Sequence, residues 1–161
     1  MYQIDQHSFK GQRVLIRVDF NVPLNDQFTI TDDTRIRAAV KTIQKVTSDG
    51  GKAILMSHLG RPKNGPDQKF SLQHLVNRTA DLLGTPVQFV DDCVGEKVAS
   101  AIHSMKDGEV MMLENLRFYK EEEKGDEAFA QKLARLGNVW VNDAFGTAHR
   151  AHASTAVMGK F

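Results

Sequence analysis

The chain has 161 residues, 41% of them hydrophobic and 25% charged, which suits one globular domain with its own core. Its formal net charge of +1 argues against a dedicated nucleic-acid binder, and its single cysteine, Cys93, excludes an internal disulfide. The N-terminal segment lacks the pattern of a signal peptide, and no apolar stretch reaches membrane-spanning length. We therefore expect a cytoplasmic protein with no membrane partner.

Five short apolar runs follow one another along the chain. They are VLIRV (14–18), AILM (53–56), VQFV (87–90), VMML (110–113) and VWV (139–141). Most of them are continuous rather than alternating, which is typical of strands buried on both faces of a parallel sheet. The sequence therefore predicts five parallel strands.

Amphipathic helix patterns separate these strands, at 36–46, 72–83, 94–105 and 126–136. Ser71 is a candidate N-cap for the second helix, and Gly84 is its stop signal. The alternation predicts right-handed crossovers and an α/β fold, a Rossmann-like open parallel sheet flanked by helices in three layers (α/β/α) as a single domain. KEEEKGDE (120–127) is interpreted as a solvated loop that leads into the last helix.

Polar residues follow directly after most of these runs. Ligands of open α/β sheets bind outside the carboxyl ends of the strands, so these residues are the candidates for a site. They are Asp19 and Asn21, with Arg35 at the next helix; Ser57, His58, Gly60 and Arg61; Glu114, Asn115 and Arg117; and Asn142, Asp143, His149, Arg150 and His152.

Four of these candidates are arginines, at positions 35, 61, 117 and 150. Guanidinium groups that converge without a comparable set of carboxylates indicate an anionic ligand, because they donate paired hydrogen bonds to phosphate or carboxylate. Any one arginine alone is more often a surface charge, and aspartates such as Asp19 and Asp143 more commonly serve as turn or cap residues. The prediction of a basic cleft therefore depends on the four lying together.

Metal and nucleotide sites have little support in the sequence. His149 and His152 lack a matching set of cysteines or carboxylates, so we expect no metal. Neither the GxxxxGK[ST] nor the GxGxxG motif follows any predicted strand. We therefore expect no cofactor to be held by this chain.

Four segments together resemble one known family, phosphoglycerate kinase. They are RVDFNVP (17–23), SHLGRP (57–62), LENLRF (113–118) and NDAFGTAHRAH (142–152). The resemblance covers essentially the whole chain, and the four motifs agree with those of the family in sequence, order and spacing. It identifies 1–161 as the N-terminal, 3-phosphoglycerate-binding domain of such an enzyme.

The resemblance also implies roles for single residues. Arg35 is similar to the catalytic arginine nearest the transferred phosphoryl group, and Asp19 and Asn21 to residues at the hydroxyl and carboxyl end of the substrate. The implied substrate-binding set is Asp19, Asn21, Arg35, His58, Leu59, Gly60, Arg61, Arg117 and Arg150, with His149 and His152 flanking the basic patch.

The activity implied by the family is a glycolytic phosphotransfer with a carboxyl group as acceptor. It moves a phosphoryl group between 1,3-bisphosphoglycerate and ADP, giving 3-phosphoglycerate and ATP. Both nucleophiles are already anionic, so no general base is needed and Asp19 is interpreted as a positioning residue. Mg-ADP or Mg-ATP would bind to a C-terminal nucleotide-binding domain that we expect this chain to lack, so we expect the chain to be inactive by itself. We also expect a monomer.

Two other functions remain open at the level of the sequence. The same cleft could belong to a stand-alone, non-catalytic module that binds a small phosphorylated carboxylate. Nucleic-acid binding through the arginines is disfavoured, because the charge is nearly balanced and Trp140 is the only tryptophan.

Overall fold

The structure, a computed structural model, describes residues 8–63 and 65–142. Its strands are β1 (Arg13–Arg17), β2 (Lys52–Met56), β3 (Val87–Val90), β4 (Val110–Leu113) and β5 (Val139–Asn142). They form one parallel sheet in the order β3-β4-β2-β1-β5. All five predicted strands are present, and their ends differ from the predicted ones by a single residue at most.

Helices connect the strands and cover both faces of the sheet. They are α1 (Thr34–Ser48), α2 (Val76–Leu83), α3 (Glu96–His103), α4 (Lys120–Lys124) and α5 (Glu127–Ala134), with short 3-10 turns at Gln68–Phe70, Leu72–Leu75 and Leu116–Phe118. This architecture confirms the predicted three-layer α/β/α fold.

The two-residue period of the strands divides the core into two clusters, one on each face of the sheet. Val14 and Ile16 of β1 pack in one cluster with Ile36 of α1. Leu15 lies between them in sequence but packs in the other cluster, with Phe129 of α5. Both faces of β1 are therefore buried, as the continuous apolar run predicts.

The second predicted helix begins differently from the prediction. The Ser71 side chain accepts a hydrogen bond from the Gln73 amide at 3.1 Å, as an N-cap does. The first turn that follows is a 3-10 turn, however, and the α-helix starts only at Val76. Gly84 ends the helix in the left-handed conformation, with a φ of 72°.

The interpretation of 120–127 as a solvated loop is wrong for its first part. Residues Lys120–Lys124 form the short helix α4, which ends at Gly125 with a φ of 65°. Glu122 in this helix is fully buried, whereas Glu123 beside it is exposed. A buried carboxylate needs a compensating partner, so this helix takes part in the packed interior and is not only a solvated connector.

Within 8–63 and 65–142, none of the helices has both the length and the apolar character that crossing a bilayer requires.

Candidate functional site

The loops that follow β1, β2 and β4 are joined to one another at the carboxyl edge of the sheet. The Gly60 amide donates to the side-chain oxygen of Asn21 at 2.8 Å, which connects the first two loops. The Leu116 amide donates to the Ser57 carbonyl at 3.0 Å, and the Asn115 side chain donates to the Leu59 carbonyl at 2.8 Å. These bonds fix the relative positions of most of the candidate residues.

Arg35 is held in place by the loop after β1. Its Nη1 donates to the Asp19 carboxylate at 3.2 Å and to the Asn21 carbonyl at 2.8 Å. The same Asp19 oxygen accepts the Asn21 amide at 3.3 Å. Both Arg35 contacts use one nitrogen, and 52% of the side chain remains exposed, so the guanidinium is oriented but still accessible to a ligand.

The loop after β2 is held by close contacts that need small residues. The Ser57 hydroxyl accepts the Phe20 amide at 2.9 Å and donates to the His58 carbonyl at 3.1 Å. Gly60 has a φ of 62°, and a Cβ at this position would overlap the ring of Phe70. Gly60 is therefore required both for its backbone conformation and for close packing.

Glu114 and Asn115 hold neighbouring loops together. The Glu114 carboxylate accepts hydrogen bonds from the Ser71 hydroxyl at 2.6 Å and from the Leu72 amide at 2.8 Å. The Asn115 side chain donates to the Phe70 carbonyl at 2.9 Å in addition to its bond to Leu59. The contacts of these two residues explain their position after β4 without any ligand.

The arginines expected to line one cleft have different environments. Arg61 is exposed, whereas Arg117 is buried. The Arg117 backbone amide donates to the Asn115 side chain at 3.0 Å, and its Nε lies 3.9 Å from the Glu123 carboxylate. Carboxylates therefore accompany Arg35 and Arg117, and the premise that the arginines converge without them is wrong for these two.

The sequence reasoning missed one arginine at this edge, Arg17. It is fully buried at the end of β1, and its Nη2 lies 3.1 Å from Nδ1 of His58, which is 4% exposed. Glu122 of α4 lies 3.9 Å from the same Nη2. Burial lowers the pKa of Arg17, and the charges of Glu122 and Asp19 oppose that shift. A signal was available, because arginine is unusual inside an apolar strand.

A concave region separate from the arginines lies beyond the ends of β3 and β4, with a volume of about 400 Å³. Asp91, Asp92 and Glu114 are among its lining residues, so its charge is opposite to that of the arginines at the carboxyl edge.

Cys93 also lines this region, and burial raises the pKa of its thiol. In the part of the chain that the structure describes, no group of three or more histidine, cysteine or carboxylate side chains could hold a metal ion.

Four of the candidate residues, Asp143, His149, Arg150 and His152, lie outside the described residues. The described members of the predicted substrate-binding set all lie at the carboxyl edge: Asp19, Asn21, Arg35, His58, Leu59, Gly60, Arg61 and Arg117.

Comparison with known proteins identifies the family. The model of the family described as "Phosphoglycerate kinase" matches residues 4–161. The chain is 62% identical over 152 residues to phosphoglycerate kinase from Chloroherpeton thalassium, covering 94% of this chain and 38% of that relative. It is 58% identical over 160 residues to the enzyme from Anaeromyxobacter sp. strain K, covering 98% and 40% of the two chains.

Solved structures agree with this result. Phosphoglycerate kinase from Coxiella burnetii superposes with a TM-score of 0.83 at 35% identity, covering 94% of this chain and 37% of the other. Phosphoglycerate kinase from Pyrococcus horikoshii gives a TM-score of 0.86 at 30% identity, covering 99% and 44%. The chain belongs to the phosphoglycerate kinase family, which confirms the resemblance. It spans about 40% of the length of the curated relatives it matches.

Proposed function

We propose that this chain is the phosphoglycerate-binding part of a phosphoglycerate kinase, which moves a phosphoryl group between 1,3-bisphosphoglycerate and Mg-ADP. Its substrate would be 3-phosphoglycerate or 1,3-bisphosphoglycerate, and the Mg-nucleotide would bind to a second domain supplied by the rest of the enzyme. The observation that carries the proposal is the half-exposed guanidinium of Arg35, fixed at the carboxyl edge by Asp19 and Asn21.

Arg35 suits phosphoryl transfer because a guanidinium keeps its charge and donates several hydrogen bonds. In the transfer to ADP, the bond between phosphorus and the acyl oxygen breaks, and a bond to the terminal oxygen of ADP forms. The transferring group carries negative charge throughout, so catalysis depends on alignment and on charge neutralisation. The Asp19 contact orients Arg35 for this role before the substrate arrives.

Asn21 gains a defined orientation from its contact with Gly60. The Gly60 amide is a donor, so the side-chain atom that meets it must be the Asn21 oxygen. The amide nitrogen of Asn21 is then the group left to donate, which suits a carboxylate or a hydroxyl oxygen of the substrate. His58, Arg61, Arg117 and Arg150 complete the proposed basic set, with Leu59 and Gly60 in the loop between them.

The alternative, a non-catalytic module that binds a phosphorylated carboxylate, uses the same residues. No contact in the described residues favours it over the enzyme. The two differ in behaviour with nucleotide. If the chain is part of the enzyme, it should support phosphoryl transfer once a nucleotide-binding domain of the family is supplied. A non-catalytic module would bind phosphoglycerate and remain inactive.

The first test is a titration of the ¹⁵N-labelled chain with 3-phosphoglycerate, with Mg-ADP in a parallel sample. We expect amide shifts around Asp19, Arg35 and Gly60 with phosphoglycerate and none with the nucleotide. The absence of any shift with phosphoglycerate would contradict the proposal.

Arg35→Lys and Arg37→Lys provide a matched pair on the same helix. Arg37 is also exposed, but it pairs with Asp33 rather than with the strand-end loop. Lysine keeps the charge and loses the planar fork, so Arg35→Lys should weaken phosphoglycerate binding about tenfold, as expected for one charge-assisted hydrogen bond of about 1.5 kcal/mol. Arg37→Lys should bind like the wild type. Equal effects of the two variants would remove Arg35 from the site.

A further inference from the structure

The buried guanidinium of Arg17 contacts several groups within the part of the chain that the structure describes. Its Nη1 donates to the Val18 carbonyl at 2.6 Å, and its Nη2 lies 3.1 Å from Nδ1 of His58. The two-residue period of β1 places Arg17 on the same face of the sheet as Leu15, the face that α5 covers. Arg17 therefore lies beneath the site loops and not among their exposed side chains.

The contact with Arg17 assigns the proton of the His58 ring. Arginine has donors and no acceptor, so Nδ1 of His58 must be the acceptor in this pair. A neutral imidazole that accepts at Nδ1 carries its proton at Nε2. Protonation of Nδ1 would instead place two N–H groups against each other. The buried arginine thus selects one tautomer of a histidine in the proposed site.

Two carboxylates act on the charge of Arg17, Glu122 of α4 first and Asp19 after it. Glu122 lies 3.9 Å from Nη2 of Arg17, and both side chains are completely buried. Arg117 is close enough for its charge to act against that of Arg17, which increases the need for a carboxylate nearby. An isolated buried charge is costly, so the position of the guanidinium depends on its carboxylate partner.

The backbone of Glu122 is held within α4. The Glu122 amide donates to the Tyr119 carbonyl at 3.2 Å, and Gly125 ends the helix three residues later. The adjacent Glu123 lies 3.9 Å from Nε of Arg117. Two consecutive carboxylates of α4 thus approach two different arginines at the carboxyl edge.

We propose that Glu122 is a positioning residue that acts through Arg17 to hold His58 in the Nε2–H tautomer, so that His58 serves the anion site as a neutral hydrogen-bond donor. The part of this inference that concerns ligand binding rests on the proposed function. The part that concerns the tautomer does not, because it follows from contacts within the chain. Glu122 makes no contact with substrate in this scheme.

The test uses the 161-residue chain labelled with ¹⁵N at histidine, without ligand and near neutral pH. Long-range proton–nitrogen spectra distinguish protonated from unprotonated ring nitrogens, and His58→Gln assigns the signals. In the wild type we expect one neutral form of His58, protonated at Nε2. In Glu122→Gln the ring should populate both neutral tautomers, and affinity for 3-phosphoglycerate should fall about tenfold.

Glu121→Gln is the matched control, since it removes the same charge from the preceding residue of the same helix. It should leave both the tautomer and the affinity unchanged. A merely structural role for Glu122 would lower stability in Glu122→Gln without moving the histidine signals. Retention of a single Nε2–H tautomer and of wild-type affinity in a folded Glu122→Gln chain would overturn the inference.

Arg17→Lys keeps the inference testable if Glu122→Gln does not fold. Lysine retains the buried positive charge beside Glu122 but loses the fork that reaches both Val18 and His58. We expect a mixture of His58 tautomers in this variant, and a single tautomer would contradict the inference. If the wild-type chain does not bind phosphoglycerate but the variants still lose the single His58 tautomer, the proposed function is rejected and the tautomer inference stands.

Discussion

The backbone amide of Gly60 and the side-chain oxygen of Asn21 form a 2.8 Å hydrogen bond between the loops that follow β2 and β1. The two residues are neighbours only because their strands are adjacent in the sheet. The contact requires the left-handed backbone of Gly60 and the absence of a side chain there. The geometry of the proposed site thus depends on a residue with no chemistry of its own.

Gly60→Ala should therefore be strongly destabilising. The left-handed conformation costs a residue with a Cβ roughly 1–2 kcal/mol, and overlap with the Phe70 ring adds roughly 1–3 kcal/mol of overpacking. Urea unfolding measures the total. Gly84→Ala is the control, because Gly84 also has a positive φ but its added Cβ would meet no atom within 4 Å. Equal losses in the two variants would show that the Phe70 contact is unimportant.

Ser71→Ala should lower the free energy of unfolding by about 1.5–3 kcal/mol. The Ser71 hydroxyl donates to the buried carboxylate of Glu114 at 2.6 Å, and hydrogen bonds to charged groups contribute about this much. Thermal and urea unfolding would measure the loss. Ser48→Ala removes an exposed hydroxyl that donates to the Lys45 carbonyl, so its effect should stay within about 0.5 kcal/mol. A Ser71→Ala chain as stable as Ser48→Ala would contradict the assigned role.

The stabilisation contributed by Asp33 should disappear in acid. Hydrogen bonds from Arg37 and Arg78 lower the pKa of Asp33 below its ordinary value of 3.8. Asp33 binds a proton less tightly in the folded state than in the unfolded state. Its stabilising contribution is therefore complete above pH 3.8 and is lost as the pH falls through the lower pKa of the folded state. Wild type and Asp33→Asn should therefore differ in stability at pH 7 and converge towards pH 2.

Asp26→Asn is the reference for that comparison, since Asp26 is an exposed carboxylate in the loop after β1. The difference in stability between wild type and Asp26→Asn at the two pH values provides the baseline for replacing an exposed carboxylate. A difference between wild type and Asp33→Asn that stays constant with pH would mean that the contacts from α1 and α2 to Asp33 do not stabilise its charged form.

Cys93 should resist modification in the folded chain. Its side chain is fully buried, and burial raises the pKa of the thiol, so little thiolate forms near neutral pH. A thiol-reactive disulfide reagent at pH 8 should label it only slowly, and labelling should become rapid in denaturing urea. Rapid labelling of the folded chain at pH 8 would mean that this part of the core opens readily.

The sequence was most informative where one local pattern decided the outcome. Short apolar runs predicted all five strands, and the signal is clearest for β4, where a strand buried on both faces has no polar alternation to obscure it. The caps at Ser71 and Gly84 were equally local. The 3-10 geometry of Leu72–Leu75 was not predictable in this way, since a single turn in either form presents nearly the same pattern.

The buried charges were harder to predict. Arg17 could have been found, since it follows Leu15 by two residues in an apolar strand and must share its face. Glu122 could not, because it stands among three consecutive glutamates with the same local signal. Only the approach of Glu122 to Arg17, at the end of β1, separates the buried glutamate from the exposed one beside it. Glu123, the carboxylate near Arg117, was not predictable for the same reason, whereas Asp19 was a candidate whose pairing with Arg35 only the structure shows.

The strand order has a consequence for how the chain acquires its structure. Val14 pairs with Val139, so almost the whole described sequence must be present before the β5 side of β1 is covered. Pairing over such distances slows folding, because loop-closure entropy is lost before the contacts repay it. While the chain is being synthesised, β1 emerges early and keeps one edge open until β5 follows. We therefore expect nascent chains that stall before β5 to be the form most prone to aggregation.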